Sequence, residues 1–581
     1  MRRNFSSKNW RILSGNNTQE ATLCKELEVS SVLARLLVQR GLETPESAHR
    51  FLNPNPAYFH DPFLLPDAEV ACQRLKTALA NRENILVHGD YDGDGVTSAA
   101  LWTRTLRALG GQVEVFVPHR KRDGYDMRVP IIEEARANNV TLIVTTDCGI
   151  QRVDEVEHAR QYGIDVIITD HHTPKTSGEL PQAVAVVNPH RHDSRYPFPH
   201  LAGVGVAFKL CEALTTYLGH SAERFRQGYL DLACIGTVTD VMPLLDENRI
   251  IVKHGLNHLR ETRKPGLKAL VELCTDPQRP LTPHQIGFQI GPRLNAASRM
   301  DETTHALNLL LTKDPIEGLE LAQRLNSFNE RRRELMTQMM QEAMEEIAKY
   351  DLSETRCLVV SRQGWAGGMV GLVAGRLKEQ FWKPCIVIGM DANSGEGRGS
   401  ARSIEAFNIF HAIDTCGEML LEYGGHAQAA GLSIREQDIS RFSEQMNQLA
   451  KEQLTDSDLT PYLDAAMEIE TSALTPQVLE EIEQMAPFGH DNHVPLFVSR
   501  GLPIVNVQRM GKEQQHLKVT FRAEGVNTND TVEALWWNQA DLAEPLQSLS
   551  SIDVCYTPEF NNFRGERKIQ LKIQDIKPPE W

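Results

Sequence analysis

The 581-residue chain has no apolar run long enough to span a bilayer, which predicts a protein that works off the membrane. Its ten cysteines include no CxxC pair, an absence that argues against a disulfide framework and against a thiolate zinc site. Scattered thiols suit a reducing compartment, and the cytoplasm is the expected location. The opening MRRNFSSKNW carries basic residues with no apolar stretch behind them, so no secretory signal is expected. Positive charge is also short, with 61 Lys and Arg against 77 Asp and Glu and a formal net charge of -16. That average counts against a nucleic-acid partner. Three stretches are nevertheless locally basic: HRKRDG (119–124), NERRRE (329–334) and NFRGERKIQLK (562–572).

What the chain does have is acid at strand ends. From about residue 80, strand-like runs alternate with helix-like ones, the pattern of a parallel α/β sheet. The runs NILVHGD, VEVFVP, TLIVTTDCG and DVIITDHH read as its strands, and ligands of such sheets lie beyond the strands' carboxyl ends. Three of the four end in His88 to Asp94, in Asp147 and in Asp170-His171-His172. Within the first, Asp90, Asp92 and Asp94 fall in five residues, where like charges repel by about 1 kcal/mol or more unless a cation or proton intervenes. Either this is a solvated Asp- and Gly-rich turn, or it is a metal site. A helical region, 203–275, adds Asp240 in GTVTDVMPL, which reads equally as a cap, a hydrogen-bonded core residue or a ligand. Oxygen-rich sets with a few histidines suit manganese or magnesium. Carboxylates converging from several strand ends could hold two ions about 3.5–4 Å apart, an arrangement that hydrolyses phosphate esters.

The rest divides by pattern. Residues 1–50 carry no motif, and 51–275 hold the acid-rich sheet. Residues 276–350 end in a charged segment from 314 that would form a connecting helix about 50 Å long. A second α/β domain spans 351–455. In 456–581, Leu517, Val519 and Phe521 alternate with Lys518, Thr520 and Arg522, and Ile569, Leu571 and Ile573 with Lys568, Gln570 and Lys572, which predicts a small, partly open barrel. Phe560, Phe563, Trp536 and Trp537 are its candidate stacking residues, although aromatics in small barrels are more often core.

Four motifs, HGDYDGDGVTS (88–98), TTDCG (145–149), TDHH (169–172) and GTVTDVMPL (236–244), resemble in content and order those of the DHH phosphoesterase family. VPHRKRDGY, GPRLNAASR, GSARS and GGHAQAAGL, with the barrel-like C-terminus, are similar to the members that degrade single-stranded DNA. The resemblance runs from about residue 50 to the end. It implies a parallel-sheet DHH domain, a long helix, a DHH-associated α/β domain and an OB-like barrel. It also implies two manganese or magnesium ions, one on His88, Asp92 and Asp147, the other on Asp94, Asp147, His171 and Asp240. His172 would face the scissile phosphate, Asp170 would orient the histidines, and Asp90 has no assigned role. Arg120 and Tyr125 would grip the strand, while Arg293, Ser400, Arg402, Gly425 and His426 would hold a 5' phosphate. The implied activity is 5'-to-3' release of mononucleotides from single-stranded DNA in recombination and repair, by a monomer served by a helicase and a single-strand-binding protein. Alternatives are a phosphodiesterase for very short oligonucleotides or cyclic dinucleotides, and a non-catalytic DNA-binding scaffold. Three departures from the family pattern, Ala366-Gly367, Asp126 and Ser298, remove no expected ligand.

Overall fold

The computed structural model describes residues 8–119, 122–124, 126–300, 302–523, 531–563 and 566–579, without the side chains of 562, 563 and 566. The chain divides into two units: 49–332 with 485–493, and 1–48, 333–484 with 494–581.

In the first unit five parallel strands lie in the order Gln112–Phe116, Asn84–His88, Val140–Thr146, Asp165–Thr169, Ala185–Val187. Their side chains alternate between two apolar layers, as the period of two demands. Ile85, Val87, Leu142, Val144 and Ile167 enter one core, with residues of the helices Gly93–Ala108, Gly203–Tyr217 and Ala222–Thr239. Leu86, Ile143, Val166 and Ile168 enter the other, under the helices Val129–Ala137 and Val153–Gln161. Sequence reading missed the last strand because it has only three residues. The register pairs His88 with Thr145 and Thr146 with Thr169, so the three acid-bearing ends stop level with one another.

A buried polar network fixes the helix Gly203–Tyr217. Lys209 and Glu247 have fully buried side chains, with Nζ 2.9 Å from Oε1. Lys209 Nζ also donates to the carbonyl of His60 at 2.6 Å. Glu247 further accepts from His60 N (3.0 Å) and Tyr196 Oη (2.5 Å). These partners offset the desolvation cost of the two charges.

The second unit contains a five-stranded sheet, ordered Leu420–His426, Ala429–Arg435, Glu396–Arg402, Cys385–Met390, Leu358–Gln363. Its barrel closes where Phe497–Met510 pairs with both His516–Arg522 and Ser551–Phe563. Leu517, Val519 and Phe521 are buried as the alternation predicts. Gln570 is buried too, because Glu559 and Asn561 satisfy its amide. The unassigned N-terminal segment belongs here. Its strand Asn9–Ile12 runs parallel to Tyr462–Ala465, and Trp10 Nε1 donates to Asp575 Oδ2 at 2.7 Å. The charged segment forms the helix Pro315–Ile347, 33 residues or about 50 Å, and the boundary between the units falls within it. No helix among the described residues is long and apolar enough to cross a membrane.

Glu247→Ala strands a buried ammonium and should destabilise the protein by about 3–5 kcal/mol in chemical denaturation. Asp456→Ala, which removes the exposed partner of Arg356, should cost less than about 1 kcal/mol. Equal effects would show that the buried network is not what holds this part of the fold.

Candidate metal centre

Backbone amides hold two of the acids at the sheet edge, Asp92 through its own helix and Asp94 through a helix more than 100 residues on. Asp92 is the N-cap of the helix Gly93–Ala108, and its Oδ1 accepts from the amides of Asp94 (2.9 Å) and Gly95 (3.0 Å). The stretch is therefore not a solvated turn, since Asp90 and Asp94 are buried and Asp92 caps a helix, and the cap leaves Asp92 Oδ2 for another partner. Asp94 is fully buried, and its two oxygens accept from Gly203 N (2.7 Å) and Val204 N (2.9 Å), at the start of the helix Gly203–Tyr217. Helix N-termini favour such anions. Asp147 follows its strand in the left-handed region, φ 62°, a strained backbone that recurs at functional sites. Asp240 caps the C-terminus of the helix Ala222–Thr239.

Glycines make the convergence possible. A Cβ on Gly203 would lie 2.5 Å from Asp147 Oδ1, and one on Gly236 would lie 2.7 Å from Asp94 Oδ1. A Cβ on Gly95 would strike the carbonyl of Asp90 at 2.5 Å.

Three sets of donor atoms lie mutually within 4.8 Å: Asp147, His171 and His172; Asp94, His171 and Asp240; and Asp90, Asp92 and Asp147. His171 Nε2 sits 3.2 Å from Asp147 Oδ1, 3.6 Å from Asp240 Oδ2 and 3.9 Å from Asp94 Oδ2. Two of the sets share Asp147 and two share His171, and the third brings in Asp90, which sequence reasoning left without a role because its side-chain direction was not legible. His88 is in none of the three sets. Its ring is fully buried beside Cys148, Sγ to Nδ1 3.6 Å.

The polar atoms fit cations. His88 Nε2, Asp90 Oδ1 and Asp147 Oδ1 are buried without a hydrogen-bond partner, which in a native protein calls for an ion or water. Burial, aided by Asp92, pushes the Asp94 carboxyl up to about 7. Burial raises Asp90, Asp147 and Asp240 as well, seconded by Asp92 for the first and by Asp94 for the other two. Burial lowers His88 and His171 to about 4, leaving neutral rings with lone pairs to give.

His172 differs from its neighbour. Burial opposes its charge, but Asp170, whose Oδ1 lies 2.7 Å from Nδ1, outweighs that and holds the ring up to about 9. The same Oδ1 accepts from the amides of His171 (2.8 Å) and His172 (3.1 Å), while Oδ2 accepts from Ile150 N (3.0 Å). Against the cost of burial, His172 keeps Asp170 ionised, with its carboxyl down to about 2. The centre thus presents acids and neutral rings on one side and a cationic imidazole at its half-exposed edge.

Among the other expected residues, Arg293 is half-buried, its Nε donating to Asn326 Oδ1 (2.9 Å) and its Nη1 to Gln289 O (2.7 Å). In the second unit, the cross-strand rows Arg402–Ala429–His426 and Ser400–Gly431–Gly424 place Ser400, Arg402 and His426 on one face of the sheet. Arg402 Nη1 donates to Ser400 Oγ at 3.0 Å. Gly425 has φ +150°, where a Cβ would lie 2.5 Å from Ala429 O, and a Cβ on Gly424 would meet nothing within 4 Å. The result is an arginine and a hydroxyl beside a shallow floor of small residues. Arg120 and Tyr125, and the side chain of Phe563, lie outside the described residues.

Asp126 does not present a bare charge, because it is buried with Oδ2 2.8 Å from Arg152 Nε. Of the barrel aromatics, Trp536 is buried in the core, Phe560 carries the Arg567 guanidinium 3.6 Å above its ring, and Trp537 is 45% exposed against His516.

The raised carboxyls set a pH dependence. A group whose folded pKa lies above its unfolded value near 4 stabilises the fold below that value and loses the contribution as pH rises through about 7. The metal-free protein should therefore lose thermal stability between pH 6 and 8, and the Tm increase on adding Mn2+ should be larger at pH 8. Differential scanning fluorimetry with Mn2+ and with EDTA checks this; equal increases at both pH values would refute it.

Comparison with known proteins accounts for the same segments. Residues 84–237 match the DHH family N-terminal domain, 354–452 the DHHA1 domain and 465–575 the RecJ OB domain. The chain is 36% identical over 576 residues to the single-stranded-DNA-specific exonuclease RecJ of Bacillus subtilis, covering 99% of this chain and 72% of that protein. It is 34% identical to the Escherichia coli protein of that name, covering 95% and 96%. The solved structure of RecJ in complex with Mn2+ from Thermus thermophilus superposes with a TM-score of 0.84 at 30% identity, covering all of this chain and 81% of that one. The Mg2+ complex superposes with a TM-score of 0.78 at 29% identity, covering 99% and 79%. Since one family accounts for the acid-bearing sheet, the second α/β domain and the barrel, the chain belongs to the RecJ family of DHH proteins.

Proposed function

We propose that this chain is a metal-dependent exonuclease that removes mononucleotides from the 5' end of single-stranded DNA, in recombination and repair. The observation that carries the reading is the buried set of carboxylates and neutral imidazoles at the sheet edge. The chain also shares identity along nearly its whole length with proteins named single-stranded-DNA-specific exonucleases. Asp90, Asp92 and Asp147 would hold one manganese or magnesium ion, with His88 behind them. Asp94, His171 and Asp240 would hold a second, and Asp147 would serve both. When bound, such a pair supplies Lewis acidity toward phosphate oxygens and an activated water at neutral pH.

The remaining residues act on the strand. Cationic His172 faces the scissile phosphate, where it offsets developing charge or gives a proton to the leaving oxygen. Asp170 fixes that ring and keeps it charged. Ser400 and Arg402, with His426 beside them and Gly425 allowing its strand to close on Ala429 and Ala430, receive the 5' phosphate as a charge-assisted fork on an open floor. Arg293 grips the backbone, and Arg120 and Tyr125 join it on the strength of their motif. Among the described side chains, Trp537 is a barrel aromatic with surface to offer a base. The enzyme works in the cytoplasm as a monomer, on strands opened by a helicase and held by a single-strand-binding protein.

End-labelled single and double strands, with and without a 5' phosphate, test the reading in Mn2+. Mononucleotides should leave stepwise from the 5' end of single strands. Asp147→Asn should lower kcat by roughly a hundredfold or more. Arg402→Ala should raise KM for 5'-phosphorylated strands by about tenfold while leaving kcat nearly unchanged. Cleavage confined to dimers and trimers would favour a small-substrate phosphodiesterase. Binding without cleavage would favour a scaffold.

A further inference from the structure

The segment before Arg293 has a feature that neither the metal centre nor the phosphate contacts use. It begins at a capping box on Thr282 and Gln285, passes through the π-helical turn Ile286–Ile290, and continues as the helix Gly291–Arg299. A π-turn is rare and recurs at functional sites. Ile286 and Ile290 are fully buried and anchor the turn, whereas Phe288 between them is 71% exposed. Its ring stacks on that of His284, with centroids 4.5 Å and planes 27° apart. His284 is itself exposed, so the pair forms a two-ring shelf in solvent.

A lone exposed phenylalanine is ordinary. The surroundings of this one are not. A Cβ on Gly291 would come within 2.3 Å of Thr239 Cγ2, and one on Gly287 within 3.9 Å of Val238 Cγ1. A Cβ on Gly93 would meet Thr239 Oγ1 at 2.9 Å and Asn295 Oδ1 at 3.3 Å. Thr239 immediately precedes Asp240, and Gly93 separates Asp92 from Asp94. The segment thus lies against both stretches that supply candidate ligands. Arg293 follows Phe288 within the same segment and is fixed to it through Gln289 O.

We propose that Phe288, backed by His284, is a stacking platform for a nucleobase of the strand whose phosphate lies at the metal centre. The inference rests on the exonuclease reading and adds a base-binding position to it. A strand engaged by the acids and by Arg293 passes this shelf, and a base laid on Phe288 extends a stack already two rings deep. The platform is indifferent to sequence, because every base has a π-face. Because its ring stands 71% exposed, Phe288 can be changed with little loss of stability.

The test compares Phe288→Ala, Phe288→Leu and Phe288→Trp with the wild type on single strands carrying 2-aminopurine at successive positions from the 5' end. In EDTA, with chemistry off, the wild type and Phe288→Trp should quench 2-aminopurine at one position, and Phe288→Ala and Phe288→Leu should not. In Mn2+, Phe288→Ala should raise KM by about tenfold with kcat within about twofold, and Phe288→Trp should restore KM. Unchanged Tm values exclude a folding effect. Phe288→Leu behaving like the wild type in both assays would point to an apolar contact such as a protein partner and overturn the platform. So would a Phe288→Ala variant indistinguishable from a wild type that degrades strands normally. A wild type that neither quenches nor cleaves would overturn the exonuclease reading itself, and the platform with it.

Discussion

Repulsion among buried carboxylates is the constraint on which this molecule turns. Asp90, Asp92, Asp94, Asp147 and Asp240 gather at one sheet edge, and Asp90, Asp94 and Asp147 are almost completely buried. Two like charges 4 Å apart cost about 4 kcal/mol at the effective dielectric of such a site. Without cations the cluster lowers its charge by holding protons: burial first, and the neighbouring carboxylates second, raise Asp94 to about 7 and raise Asp147 and Asp240 as well. A fold keeps such an arrangement only if something else gains from it, and divalent cations are the partners that turn the cost into binding energy.

The scaffold is built around that cost. The strand register brings three acid-bearing ends level. Helix N-termini answer the oxygens of Asp92 and Asp94, and Gly203, Gly236 and Gly95 remove the atoms that would stand in the way. The buried Lys209–Glu247 pair belongs to the same construction, since Lys209 lies on the helix whose first amides hold Asp94. The two histidines of the TDHH turn are set apart by one contact. Asp170 sits against His172 and makes it a cation, while His171, turned toward Asp147, stays neutral. Neighbouring imidazoles thereby acquire opposite roles, one suited to a metal and one to a phosphate.

Much of this was legible in the sequence because it is local. Period-two apolar runs ending in acid or histidine mark both the strands and the functional edge, and family motifs order the acids. What depends on side-chain direction was not legible. Asp90 looked like a spare turn residue until its carboxylate was placed beside those of Asp92 and Asp147. Asp126, a departure from the family pattern, has its partner in Arg152, which the sequence does not place beside it. Long-range pairing was equally hidden. The strand Asn9–Ile12 has no motif, and its partner lies some 450 residues away. Phe560 was a plausible base platform, yet Arg567 covers it, an encounter that strand alternation alone does not reveal. Phe288 escaped notice because an apolar residue near a buried isoleucine reads as core.

The most direct test of the central claim is anomalous diffraction from crystals of the protein soaked in Mn2+. Two peaks about 3.5–4 Å apart should appear at the sheet edge, one against Asp90, Asp92 and Asp147 and the other against Asp94, His171 and Asp240. Full-occupancy Mn2+ elsewhere with none at this edge would contradict the account, because the buried carboxylates would then be balanced by protons alone.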